Sequence, residues 1–276
     1  MISYNGVLFN HWSEAPLHQM SFSQLSKQFS LPVYWHNNQL VLLEATYFHM
    51  MSSLRRWRME IPMSLTPEAL EAQVGDLQKA IDDTTRTVFQ ISFFRETNSS
   101  LQQPMSRLGW IISPYGNFDI VPNGTPFKVT LYKDYGITPQ SLSGLPAAHQ
   151  QERDVARVFA YENDYQDCLL MNSNKNLVEA TQGTLFLYAA GVVQSPDMKS
   201  GCRYSVLRTA FIEWLHKKAG IEVDEKPLAP FALPNSEAIG ILNPYSGMQM
   251  VTSYRKKTYQ DATLAELFRT FWKEQL

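Results

Sequence analysis

Residues 161–187 read YENDYQDCLLMNSNKNLVEATQGTLFL, and this run limits the fold more than any other part of the chain. A helix end leads without a break into an apolar strand, Cys168 to Met171. The polar turn Asn-Ser-Asn-Lys-Asn and a second strand around Glu179 follow. A helix running straight into two strands joined by a short polar turn belongs to a domain in which helices pack on sheets.

The flanking sequence repeats the mixture. From Glu44 to Met59 the apolar positions Tyr47, Met50, Met51, Leu54 and Trp57 keep the spacing of one helical face. Thr66 is placed to N-cap a second helix with Pro67 at its first position, and Leu70, Val74, Leu77 and Ile81 continue its stripe. Val88 to Phe94, Leu108 to Ser113 and Phe127 to Lys133 read as strands. A helix is expected from near Pro146, with Val155, Val158 and Phe159 on its inner face. Another is expected from Ser205 to Ala219, and an amphipathic one at the end carries Leu264, Leu267, Phe268 and Phe271. The fold class expected is α+β in two domains, 1–113 and 127–276, joined by the Pro-, Gly- and Asn-rich segment 114–126.

Composition narrows the function classes. Hydrophobic residues at 44% and charged residues at 18% suit a globular chain with a substantial core. A formal net charge of −2 argues against nucleic acid or an anionic membrane as partner. The cluster Arg55-Arg56-Trp57-Arg58 reads as a solvated helix face with Trp57 turned inward. No apolar run approaches the ~18 residues of a membrane helix. The opening MISYNGVLFNHW lacks the character of a signal peptide, so a cytoplasmic location is expected. Two cysteines imply no disulfide framework, and the six histidines show no metal-ligand spacing.

Several landmarks occur in one order along nearly the whole chain. They are MISYNGVLFN, LLEATYFHMMSSLRRWRMEIP, LYKDYG, LSGLP, ENDYQDCLLMNSNKNLVEATQGTLFL, SPDMKSGCRYSVLR and SGMQMVTSYRKKTY. In these the chain resembles the class IV aminotransferases, the fold-type IV pyridoxal-phosphate enzymes. That family includes branched-chain and D-amino-acid aminotransferases and aminodeoxychorismate lyase. The resemblance implies a homodimer and a two-domain architecture. It also implies that Glu179 matches the glutamate that hydrogen-bonds the cofactor's pyridine nitrogen. The Schiff-base lysine matches Pro146 in Ser141-Leu142-Ser143-Gly144-Leu145-Pro146-Ala147, and proline has no amine with which to form an imine. Pro146 also reads as an ordinary proline at a helix N-terminus.

The phosphate-binding arginine matches His49, and the motif histidine before it matches Thr46. The helix start that cradles phosphate matches Ser205-Val206-Leu207-Arg208, where the amides of Val206 and Leu207 keep the capacity to bind a small anion while the threonine hydroxyl is replaced by Leu207. A later threonine is replaced by Leu242. At roughly 1.5–3 kcal/mol for each charge-assisted bond, these losses weaken phosphate binding by about two to four decades. The glycine-bearing substrate wall has no counterpart in 25–32.

Two readings follow. In one the chain keeps the fold without covalent pyridoxal phosphate and binds, scaffolds or acts on another ligand. In the other it is an active pyridoxal-phosphate aminotransferase or lyase. The candidate site residues are Glu179, Val206, Leu207, Arg208 and His49, with no catalytic residue and no metal. Glu179 has two open roles, bonding between strands or a remnant pocket function. With no protonated ring opposite, burial is expected to raise its pKa. Arg208 is read as a surface or helix-anchoring residue in preference to a ligand contact.

Overall fold

The computed structural model describes residues 1–11, 13–15, 25–81, 87–96, 108–118, 120–121 and 126–276, with residues 25–28, 87 and 96 described by backbone alone. The chain forms two compact units, Met1–Phe118 and Asp119–Gln275. Of the segment read as a linker, 114–117 continue a strand, and 119 and 122–125 lie outside the described residues.

In chain order the first unit contains β1 (Ile2–Tyr4), β2 (Val7–Phe9), β3 (Leu25–His36), β4 (Gln39–Val41), α1 (Leu43–Arg56), α2 (Pro67–Ile81), β5 (Thr87–Glu96) and β6 (Leu108–Asn117). The strands form one antiparallel sheet in the order β2-β1-β6-β5-β3-β4. The α2 start follows from sequence: Thr66 Oγ1 accepts the Ala69 N–H at 3.2 Å, and Pro67 occupies the first position. Leu70, Val74 and Leu77 are buried along its inner face. Gly75 lets that face approach the sheet, because a Cβ there would lie 2.9 Å from the Trp35 ring. The helix α1 ends at Arg56, so Trp57 is its C-cap and is half-buried.

The second unit runs β7 (Lys128–Leu131), α3 (Gln150–Glu162), β8 (Asp167–Met171), β9 (Leu177–Ala180), β10 (Thr184–Ala189), β11 (Val192–Pro196), α4 (Val206–Trp214), β12 (Val223–Lys226), α5 (Ala232–Asn235), β13 (Ala238–Asn243), β14 (Gly247–Met250), β15 (Ser253–Tyr254), β16 (Lys257–Thr258) and α6 (Thr263–Gln275). Two five-stranded sheets result, β12-β11-β10-β13-β14 and β16-β15-β7-β8-β9. Leu169, Leu177, Leu185, Ile239 and Ile241 form one apolar core. On the other face of β8 and β9, Cys168, Leu170 and Val178 pack with Ala156 and Ala160 of α3.

That second core corrects the expected face of α3. Its buried residues are Arg153, Ala156 and Ala160, with Phe159 packed against the same core as expected, whereas Val155 and Val158 are 47% and 56% exposed. The helix also begins at Gln150, four residues after Pro146. Turns hold 141–149, with Ala148 N–H on the Leu145 carbonyl at 3.0 Å and His149 in the left-handed region (φ 55°). Pro146 is therefore a loop proline and does not start the helix.

Candidate functional site

The register between β8 and β9 decides which way Glu179 points. Leu169 pairs with Ala180, Leu170 with Glu179, and Met171 with Leu177, so Val178 and Glu179 together oppose Leu170. This is a β-bulge, and it re-aims the following side chain. Without it, strict alternation would put Glu179 on the Leu177 face. With it, Glu179 shares the Leu170 face, against α3. The Cys202 thiol, donating to the Val178 carbonyl at 3.0 Å, satisfies the bulged backbone. Burial pushes that thiol well above the ordinary range, so it is not a ready nucleophile.

Glu179 is only 2% exposed, and both its oxygens are engaged. Oε1 accepts from Arg153 Nε at 2.6 Å, with Arg153 Nη2 in ion-pair contact with the same oxygen. Oε2 accepts from the backbone N–H and Nε of Arg203, each at 3.2 Å. Arg153, also 2% exposed, donates through Nη1 to the Ala148 carbonyl, and Arg203 Nη2 donates to the Thr181 carbonyl at 3.2 Å. The Tyr204 N–H reaches the Gly144 carbonyl at 3.1 Å. Arg153 of α3 and Arg203 before α4 thus converge on the carboxylate of β9, and the loop 141–149 that holds Pro146 is tied to them through the Ala148 and Gly144 carbonyls.

Burial alone would raise the Glu179 pKa. The guanidiniums of Arg203 and Arg153 outweigh burial, and the carboxyl is held below its ordinary value. The expected rise is overturned because the chain itself supplies cations opposite the acid. Burial lowers the Arg153 pKa to about 10 against the pull of Glu179, which leaves it charged at neutral pH. Two guanidiniums meet one carboxylate in this cluster, and the Glu152 charge also acts on Arg153.

A model of the family described as amino-transferase class IV matches residues 32–254. The chain belongs to this family. No curated protein matches it by sequence. Among solved structures it is similar to the branched-chain amino acid aminotransferase of Thermobaculum terrenum in its PLP form, with a TM-score of 0.85 and 16% identity over 99% of this chain and 93% of the other. It is similar to the branched-chain amino acid aminotransferase of Escherichia coli (TM-score 0.82, 16% identity, 99% and 93% covered). The 4-amino-4-deoxychorismate lyase of Pseudomonas aeruginosa also resembles it (TM-score 0.77, 15% identity, 100% and 99% covered). At these identities the likeness carries the fold alone, the mixed helix-and-sheet architecture of fold-type IV.

Within the second unit of this class IV family member, Val206 and Leu207 form the first turn of α4. Ser205 caps that helix, its Oγ accepting the Arg208 N–H at 3.3 Å. Leu207 is buried, as is Leu242 on β13. Arg208 is buried instead of superficial, and it anchors α4: its Nη2 donates to the Pro196 carbonyl at 3.0 Å and to Glu225 at 2.6 Å. His49 stands on α1 of the first unit. Burial, then the charge of Arg56, lowers its pKa to about 4, so it is neutral at pH 7. Sequence reading missed Arg153 and Arg203, the two residues that define the site. The ERD triplet in α3 offered no signal, because an arginine that pairs 26 residues away looks like any solvated helix charge.

No helix among the described residues is long and apolar enough to cross a membrane.

Proposed function

We propose that this chain is a class IV aminotransferase paralogue that does not hold pyridoxal phosphate covalently and serves instead as a binding or scaffold protein, or acts on another ligand. One observation carries the reading: Arg153 and Arg203 use both oxygens of Glu179. By the family resemblance this carboxylate faces the protonated pyridine nitrogen of the cofactor. A pyridinium brought there meets two guanidiniums already on the carboxylate, and like charges in a buried site repel strongly.

Two other positions matched by the resemblance point the same way. Pro146, matched to the lysine, offers no amine. His49, matched to the phosphate arginine, is neutral at physiological pH and contributes no counter-charge. The residues present do not fit pyridoxal phosphate. A small anion suits the second unit better, given Arg203 and the first-turn amides of α4. A homodimer, as the resemblance implies, is part of the proposal.

Purified protein mixed with pyridoxal phosphate is expected to develop no imine absorbance band. It is also expected to catalyse no amino-group exchange between an amino acid and a 2-oxo acid. A band together with turnover would establish the competing reading of an active aminotransferase.

A further inference from the structure

Arg153 lies on the inner face of α3, where the neighbouring inward residues, Ala156 and Ala160, are small. It is among the largest fully buried side chains of the described residues. Its hydrogen bonds go to the Glu179 carboxylate through Nε and to the Ala148 carbonyl through Nη1, with Nη2 in ion-pair contact with the same carboxylate and the Arg203 charge nearby. The guanidinium is planar and delocalised, so it lays a flat cation against a carboxylate as a protonated heteroaromatic ring does. A buried carboxylate that loses one of its two guanidinium partners has an oxygen left without a donor, here Oε1, while Arg203 keeps Oε2, and the freed oxygen gains by recruiting another cation.

We propose that Arg153 is an internal plug, a planar cation supplied by the chain that fills the place opposite Glu179 and bars external planar cations, a protonated pyridine ring included. This deepens the reading given under Proposed function and rests on it. The plug also ties the Pro146 loop to β9 through the Ala148 carbonyl. The segment matched to the cofactor lysine is thereby fastened down by the residue that takes the ring's place.

The test is cavity rescue. Arg153→Ala removes the guanidinium and leaves Glu179 facing Arg203 alone. Its melting temperature is expected to fall by roughly 10 °C, from the cost of breaking a buried pair in a chain of this size. Millimolar guanidinium chloride, read against equal potassium chloride, is expected to restore several degrees in this variant and none in the unaltered protein. The double variant Arg153→Met, Glu179→Met removes both charges and is expected to show no guanidinium response. If Arg153→Ala folds poorly, the same quantity is read as the yield of refolding from urea with guanidinium or potassium present.

Absence of a guanidinium-specific gain in Arg153→Ala overturns the plug, as does an equal gain in the unaltered protein. A lysine-bound cofactor in the unaltered protein overturns the reading under Proposed function whatever Arg153→Ala does. The two failures are therefore distinguishable.

Discussion

Asp167 and Glu179 are both buried carboxylates of the second unit, on the neighbouring strands β8 and β9, and they titrate in opposite directions. Asp167, with no exposed surface, accepts from the N–H groups of Cys168 (2.7 Å), Thr181 (3.1 Å) and Gln182 (3.3 Å) and from the Thr181 hydroxyl. All these donors are neutral. Burial outweighs them, and the Asp167 pKa rises to about 6. Glu179 has only guanidiniums and one amide for partners, and its pKa falls. At Asp167 the neutral donors lower the pKa by less than burial raises it, whereas at Glu179 the two guanidiniums outweigh burial.

The largest effect expected from this contrast is on stability. Glu179→Ala leaves two guanidiniums facing each other and is expected to cost about 3–5 kcal/mol in urea unfolding. At pH 7 Asp167→Asn is expected to change stability by no more than about 1 kcal/mol, because removing an unpaired charge offsets the disturbed bond to Gln182. Equal losses in the two variants would break the comparison.

The pH dependence sharpens it. The folded pKa of Asp167 lies above its ordinary value of 3.8, so protonation favours the folded state. That stabilisation is fully present below about pH 4, amounts to about 3 kcal/mol there, and is lost as pH rises through 6. Between pH 7 and pH 5 the unfolding free energy is expected to rise by about 1 kcal/mol, and Asp167→Asn is expected to flatten that rise. Glu179 acts in the opposite sense: its stabilisation, present above about pH 4.5, disappears as pH falls through its lower folded pKa. Urea titrations across this range read both slopes.

Two smaller effects separate the clasp of Asp167 from that of Glu179. A Cβ at Gly183 would lie 2.3 Å from the Leu242 carbonyl oxygen, so Gly183→Ala pushes aside the turn that supplies the Thr181 and Gln182 amides. A loss of about 1–3 kcal/mol is expected, with the pH 5–7 slope altered as well. Ser205→Ala removes the cap of α4 and is expected to cost about 1 kcal/mol without altering that slope.

Much of the scaffold was legible in the residues. Thr66 and Pro67 announce α2, and the strands on either side of Asn172–Asn176 follow from their apolar runs. The α3 face was not legible. Periodicity counts apolar residues, and in this helix the apolar Val155 and Val158 face out while an arginine faces in. Its inward position depends on an acid 26 residues later and on a bulge that turns that acid toward it, and neither is written locally. The same gap produced the wrong direction for the Glu179 pKa, since burial was visible and the partners were not. For Arg208 the sequence leaves a surface or a helix-anchoring place open, and the buried anchor is not visible there because Glu225 and the Pro196 carbonyl meet it only in the folded unit.

The most direct measurement is intact-protein mass spectrometry after incubation with pyridoxal phosphate and reduction with borohydride. With Glu179 held by two arginines and proline at the lysine position, the mass is expected to stay that of the unmodified chain. A single phosphopyridoxyl group, mapped to one lysine and formed at stoichiometric cofactor, would contradict the account.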